Sequence, residues 1–348
     1  MISVCVTNSC CLRQCAICAR INALAYLTLI KIALNVHCAD TPLLLLAWRR
    51  AHTLSRVIDA IRPSSPHYVF VACDGPRLDH PGEEEKVAAT REVIDQQIDW
   101  PCQIYRLYSE TNQGCREGVI QAITWFFTHV ESGIILEDDC VPHPDFFQYC
   151  TDLLRRYELD NRIFLITGHN RLGSSPISSD YLYSRLGGIW GWASWRRAWN
   201  TFGLTLSELD LAQRQHILEN VIPIDVAEER YVKCRDSLTG KLDSWAYQWG
   251  YHRLINGGLS CVPKYNLITN IGGDDDSTHT VGLQPDSLFE GRLAFPLQHP
   301  DFLVPCEKYD AQYSSPTKYL YCHGRHIRDL LVGFKEKILM LSFRYRFL

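Results

Sequence analysis

Continuous apolar runs alternate with amphipathic stretches through the first half of this chain. Residues 43–47 are wholly apolar, the pattern of a strand buried on both faces of a parallel sheet. Trp48-Arg49-Arg50 ends that run, and residues 53–61 then carry helical spacing through Leu54, Val57, Ile58 and Ile61. The pair recurs. Residues 68–73 read as a second buried strand, stopped by the turn signal Asp74-Gly75-Pro76. Residues 83–98 read as a helix with Val87, Val93, Ile94 and Ile98 inward. Residues 102–107 and 133–136 are two further strands, with a helix over 114–130 between them. Such alternation with short links predicts an α/β fold: a mostly parallel, Rossmann-like sheet flanked by helices, in a single domain.

The pattern loosens after residue 140. A helix is expected over 144–157, a strand over 163–167 and a helix over 244–255, entered through Leu242-Asp243. Residues 187–195 are rich in glycine and tryptophan. Residues 264–280 read as mostly irregular and hold Gly272-Gly273-Asp274-Asp275-Asp276. No internal repeat is evident. The organisation expected is an N-terminal cysteine-rich extension (1–40), a working domain (41–282, in two parts that meet at residue 140) and a C-terminal extension (283–348).

The 348 residues carry a formal charge of −4. With no basic excess, nucleic acid is not an expected partner. Five of the fifteen cysteines crowd the first eighteen residues. They lack the second ligand pair of a zinc finger, and the odd total argues against a disulfide framework. Cys73, Cys140, Cys150 and Cys261 sit inside apolar runs, as small buried hydrophobes do. Residues 21–36 are apolar but interrupted by Lys31 and Asn35, and are short for a membrane span. The tail from 326 to 348 is basic and apolar by turns. It either packs back on the domain or lies on an anionic membrane surface, so the location expected is cytoplasmic, with contact at the inner membrane face as the variant.

The chemistry concentrates where the strand at 133–136 runs into Glu137-Asp138-Asp139-Cys140. Open α/β sheets place ligands at the carboxyl ends of their strands, and clustered carboxylates suit a hard divalent cation. The loops after the first two strands, with Arg49, Arg50 and Asp74, are expected to converge on the same crevice. Asp74 is also a good turn former, and Asp243 a good cap for the helix after it.

An ordered set of motifs resembles the GT-A glycosyltransferases of the N-acetylglucosaminyltransferase I type and their bacterial relatives. The set runs Ala47-Trp48-Arg49-Arg50, Ala72-Cys73-Asp74-Gly75-Pro76-Arg77, Asn112-Gln113-Gly114-Cys115-Arg116, Ile135-Leu136-Glu137-Asp138-Asp139 and Gly188-Ile189-Trp190-Gly191-Trp192. It ends with residues 266–272 and Thr278-His279-Thr280. The resemblance implies an inverting, metal-dependent transfer from a nucleotide-sugar, with UDP the expected nucleotide, to a glycan or glycolipid hydroxyl. It implies that Asp139 binds Mn²⁺ or Mg²⁺, with His279 as a further metal or phosphate contact. Glu137 and Asp138 would meet the donor's ribose and sugar, and Asp74 its base. Arg49 or Arg50 would lie by the phosphates, with Arg116 and Trp190 completing the donor set. Asp243 would be the general base, although Asp243-Ser244-Trp245 has one acid fewer than the family's pattern.

Two other functions compete. A metal-dependent sugar nucleotidyltransferase would use the same cradle, but residues 47–51 lack the glycine-rich loop such enzymes carry. A non-catalytic glycan-binding module would not need an intact acidic motif.

Overall fold

In the computed structural model, which describes residues 38–273 and 291–314, the first half alternates as its apolar runs predict. The order is β1 (Leu43–Ala47), α1 (Ala51–Ile61), β2 (Tyr68–Cys73), α2 (Glu83–Gln97), β3 (Gln103–Tyr108), α3 (Gly114–His129) and β4 (Ser132–Glu137). The second half contributes β5 (Cys140–Pro142), α4 (Asp145–Arg156), β6 (Ile163–Thr167), β7 (Tyr181–Ser184), β8 (Trp192–Trp195), α5 (Arg196–Trp199), α6 (Leu206–Arg214), α7 (Ile224–Leu238), α8 (Ala246–Ile255), β9 (Leu259–Pro263), β10 (Ile268–Asn270) and α9 (Glu307–Ser314).

Eight strands form one sheet in the order β3-β2-β1-β4-β8-β6-β9-β7, and β5 pairs with β10 in a separate ribbon. Strands β1 to β4 are mutually parallel. β8 enters antiparallel to both β4 and β6, and β7 runs antiparallel to β9. The sheet is therefore mixed but mostly parallel.

Burial on both faces explains the apolar runs. Leu43, Leu45 and Ala47 face one core with Val69, Val71, Ile134 and Leu136, while Leu44 and Leu46 face the other with Phe70, Ala72 and Ile135. That is the period of two a pleated strand imposes. Helices α1, α2 and α4 cover the first face, through Leu54, Val57, Ile94, Phe146 and Leu153 among others. α3 covers the second with Ala122, Ile123, Phe126 and Phe127, beside Trp192, Trp245 and Trp249. Trp192 and Trp195 are thus core residues. A third cluster joins α6, α7, α8 and α9.

Residues 291–314 fold onto the same body, although the sequence sets them in an extension. Arg292 and the Leu293 amide bind Asp145, and Asp310 accepts bonds from Ser184 and the Arg185 amide. The N-terminal cysteines at 5–18, the acidic run 274–276, His279 and the basic tail lie outside the described residues. Among the described residues no helix is long and apolar enough to cross a membrane.

The order of the first four strands positions the site. The chain runs outward from β1 through β2 to β3, then returns to β4 on the other side of β1. The carboxyl ends of β1 and β4 therefore flank a topological switch point, where such sheets bind ligands.

Candidate functional site

Leu46 pairs with Glu137 across β1 and β4, so the acids that follow lie beside the turn after β1. The Trp48 amide donates to Asp138 Oδ2 at 3.3 Å. Arg50, at the start of α1, bridges two acids: its Nη2 bonds Asp138 Oδ1 and lies 2.9 Å from Asp139 Oδ2. Asn270 completes the surround. The register of β10 on β5 sets it opposite Cys140, and its Nδ2 donates to Asp139 Oδ1 at 3.2 Å. Gly272 then passes directly over the pair. A Cβ there would clash with Asp139 Oδ2 and lie 2.7 Å from Arg50 Nη1.

Burial dominates the electrostatics. It raises the Glu137 carboxyl above the ordinary range, and the neighbouring Asp139 and Asp138 charges add to the rise. Burial also raises Asp138, against the pull of Arg50. Burial opposes the charge on Arg50, but Asp138 and Asp139 outweigh it and hold the guanidinium protonated. A carboxylate cluster this crowded is stabilised by positive charge.

Glu137, Asp139 and Cys140 can each offer one atom within 4.8 Å of the others. The Cys140 thiol is held well above its ordinary pKa by burial and by Asp139, so the anionic donors are the two carboxylates. Oxygen donors suit Mg²⁺ or Mn²⁺. Position 272 is glycine, so it puts no side chain of its own against Asp139. These residues fit a hard divalent cation.

Two cavities meet at this edge. The first, about 450 Å³, opens between the ends of β1, β2 and β4 and is lined by Trp48, Asp74, Arg77, Asn112, Asp138 and Asp243 among others. The second, about 440 Å³, is lined by Asp139, residues 187–190, Asn270 and the start of α8. Arg50, Cys115 and Glu137 line both, and so form the wall between them.

The structure sorts the residues that the sequence singles out. Glu137, Asp138, Asp139 and Arg50 come together. Arg49 turns away, pairing with Glu83 at 2.5 Å over the Trp48 ring. Arg116 pairs with Glu117 at 2.8 Å and lines neither cavity. Trp190 lines the second cavity, with its ring 4.7 Å from that of His169. His279 lies outside the described residues.

Asp74 and Asp243 share an unexpected task. Asp74 accepts from the Gln113 and Gly114 amides at 2.9–3.2 Å and from Asn112 Nδ2 at 3.0 Å. Asp243 accepts from the Cys115 and Arg116 amides at 2.9 and 2.7 Å. The amides of the cap residue Gln113 and of the first three residues of α3 are therefore all taken, by carboxylates that arrive from the end of β2 and from the loop before α8. These are the amides a helix leaves unsatisfied, and negative charge is favoured there. Burial raises the Asp74 carboxyl, the Gln113, Gly75 and Gly114 amides oppose it, and the nearby Asp243 charge adds to the rise. Gly114 is required at this junction: its φ is +81°, and a Cβ would sit 3.0 Å from Asp243 Oδ2. Asp243 does cap a helix, but not the one that follows it in the chain.

Asn270, Gly272, Asn112 and Arg77 are contributors to which the sequence assigns no role. Each lies in a quoted motif, so a signal existed; what each side chain does emerges only from register and packing.

No protein-family model and no curated protein matches the chain. Among solved structures, UDP-glucose pyrophosphorylase complexed with UDP-glucose is similar over 66% of this chain and 91% of that chain, at 8% identity and a TM-score of 0.32. A likeness that distant bears on neither mechanism nor substrate. The chain is an α/β protein whose mixed, mostly parallel sheet carries an acid-lined double cavity at its switch point.

Proposed function

We propose that this protein transfers a sugar from a nucleotide-sugar to a hydroxyl-bearing glycan or glycolipid, with a divalent cation held at Glu137 and Asp139. One observation carries the reading: Glu137 lines two cavities of similar size that meet at the acid edge. A transferase must bring two substrates to one reactive centre, and this arrangement offers a chamber for each. The switch-point cavity suits the nucleotide, and the cavity past Trp190 suits the acceptor. UDP is the nucleotide expected from the motif resemblance.

When bound, the cation supplies charge stabilisation to the departing diphosphate. Arg50 stands beside the same acids and lines both chambers, so its guanidinium reaches anionic groups on either side. Asp243 is the proposed general base. It lines the first cavity while its neighbours Leu242 and Ser244 line the second. Its carboxylate is aimed by two helix amides, and each oxygen keeps a lone pair for the acceptor proton. A single base opposite the leaving group gives inversion at the anomeric carbon.

The test is a nucleotide-sugar panel with Mn²⁺, following UDP release and sugar transfer in the wild type and Asp243→Asn. Asp243→Asn should lose about 10²–10⁴-fold in turnover, keep its Mn²⁺-dependent UDP affinity, and lose about 1 kcal/mol of stability with the weakened cap. Unchanged turnover would leave Asp243 as a helix anchor only. With pyrophosphate added, its conversion with the nucleotide-sugar to nucleoside triphosphate and sugar 1-phosphate, without sugar transfer, would assign the site to nucleotidyl transfer instead.

A further inference from the structure

The second cavity carries a basic end that the reaction centre does not use. Arg185, Arg230 and Arg253 all line it. Arg185 lies 3.5 Å from Asp310. The other two have no acidic partner among the described residues. Arg230 is half-buried on α7 and makes neither an ion pair nor a hydrogen bond there. Arg253, on α8, is 2% exposed. Its Nη1 donates to Ser260 Oγ at 2.6 Å, and its buried Nε has no partner. Burial lowers its pKa to about 10, Tyr313 opposing and the Arg230 charge adding to the fall.

A buried guanidinium without a counterion is costly, and so is an unsatisfied buried donor. Folding alone would favour an apolar residue at position 253, or an acid beside it. That cation and the half-buried Arg230 on the adjacent helix, both facing one chamber, form a receptor for a ligand's negative charge. The guanidinium fork matches carboxylate and phosphate oxygens. The acids of this chamber, Glu137 and Asp139, belong to the reaction centre, so the cavity is acidic where transfer is proposed and basic elsewhere.

We propose that the acceptor is an anionic sugar, carrying a carboxylate or a phosphate ester that Arg230 and Arg253 receive. This rests on the transferase reading above for the word acceptor; the anion preference of the chamber does not depend on it.

Trp190, Trp245 and Trp249 line the chamber, so intrinsic fluorescence can report binding in the full chain without donor or metal. The probes are methyl glucuronide, methyl glucoside 6-phosphate and neutral methyl glucoside. The two anionic glycosides should bind roughly tenfold or more tightly than the neutral one, the size of a charge-assisted contact. The better of them identifies carboxylate or phosphate as the group received. Arg230→Gln, at a half-exposed position, should abolish the preference, and Arg253→Gln should do so independently. Both should leave Mn²⁺-dependent UDP affinity within about twofold. Equal affinity for charged and neutral glycosides in the wild type would overturn the proposal. So would an unchanged preference in Arg230→Gln, or an equal loss of UDP affinity, which would give these arginines to the donor's phosphates. Absence of Mn²⁺-dependent UDP binding in the wild type would sink the transferase reading while leaving the glycoside comparison intact.

Discussion

Arg50→Met removes the positive charge that Asp138 and Asp139 share in the absence of metal. The guanidinium is 13% exposed and the two carboxylates 5% and 7%. Breaking a buried pair by deleting one partner costs about 3–5 kcal/mol. Two features favour the lower end. Asp138 retains the Trp48 amide and Asp139 retains Asn270, and burial already raises the Glu137 and Asp138 carboxyls, so protonation relieves part of the repulsion. A loss near 3 kcal/mol corresponds to roughly 6–12 °C in Tm, at about 2–4 °C per kcal/mol for a domain of some 200 residues. A cation should then rescue the variant. Saturation at 100 times Kd contributes about 2.7 kcal/mol in any protein that binds only when folded, and the variant should gain more than the wild type at equal Mn²⁺, because its acids start uncompensated. Urea unfolding in chelator and in Mn²⁺ measures all four values. A cost below about 1 kcal/mol in chelator would refute Arg50 as the counterion of these acids, and equal Mn²⁺ stabilisation of the two proteins would refute their assignment to a cation.

Glu83, which holds Arg77 at the wall of the first cavity, offers a pH test. Bonds from Arg77 dominate in drawing its carboxyl from 4.5 to about 2, against desolvation. The folded pKa is depressed, so the stabilisation is complete above pH about 4.5 and is lost as pH falls toward 2, amounting to about 3 kcal/mol at neutral pH. Glu83→Gln should therefore unfold at lower denaturant at pH 7, with the gap to wild type closing between pH 4.5 and 2; a constant gap would mean the charge is not responsible. Gly272→Ala should abolish Mn²⁺-dependent UDP binding with little loss of secondary structure by circular dichroism, because the added methyl meets Asp139 and Arg50. Undiminished binding in that variant would show that the backbone can yield there.

The first half of the fold was readable because buried parallel strands announce themselves. Residues 43–47 and 68–73 match β1 and β2 to the residue. In the second half β6 was equally plain at 163–167, and α4 and α8 lie where helices were expected, but the short strands were not legible, for a physical reason. β8 is four residues, two of them tryptophan, inserted antiparallel between β4 and β6, and β10 is three residues paired only with β5. Such short strands have no periodicity to detect and exist through distant partners. The acid cluster and its place at a strand end were legible from the abrupt change in polarity after Leu136. The choice between Arg49 and Arg50 was not, since the phase of α1 decides which one turns inward. The capping aptitude of Asp243 was equally plain, but the first amide it accepts from in its target helix, that of Cys115, lies 128 residues earlier in the chain.

That target matters for how a diphosphate can be received. The leading end of a helix is a common seat for phosphate, and α3 begins at the wall of the first chamber. Here the seat is already filled by the protein's own anions, Asp74 and Asp243. In the proposed transferase, an arriving pyrophosphate would meet repulsion at that end instead of free amides, and would be turned toward Arg50 and the metal proposed at the neighbouring acids. A fold that plugs its dipole in this way leaves metal and arginine as the means by which the proposed donor would be held.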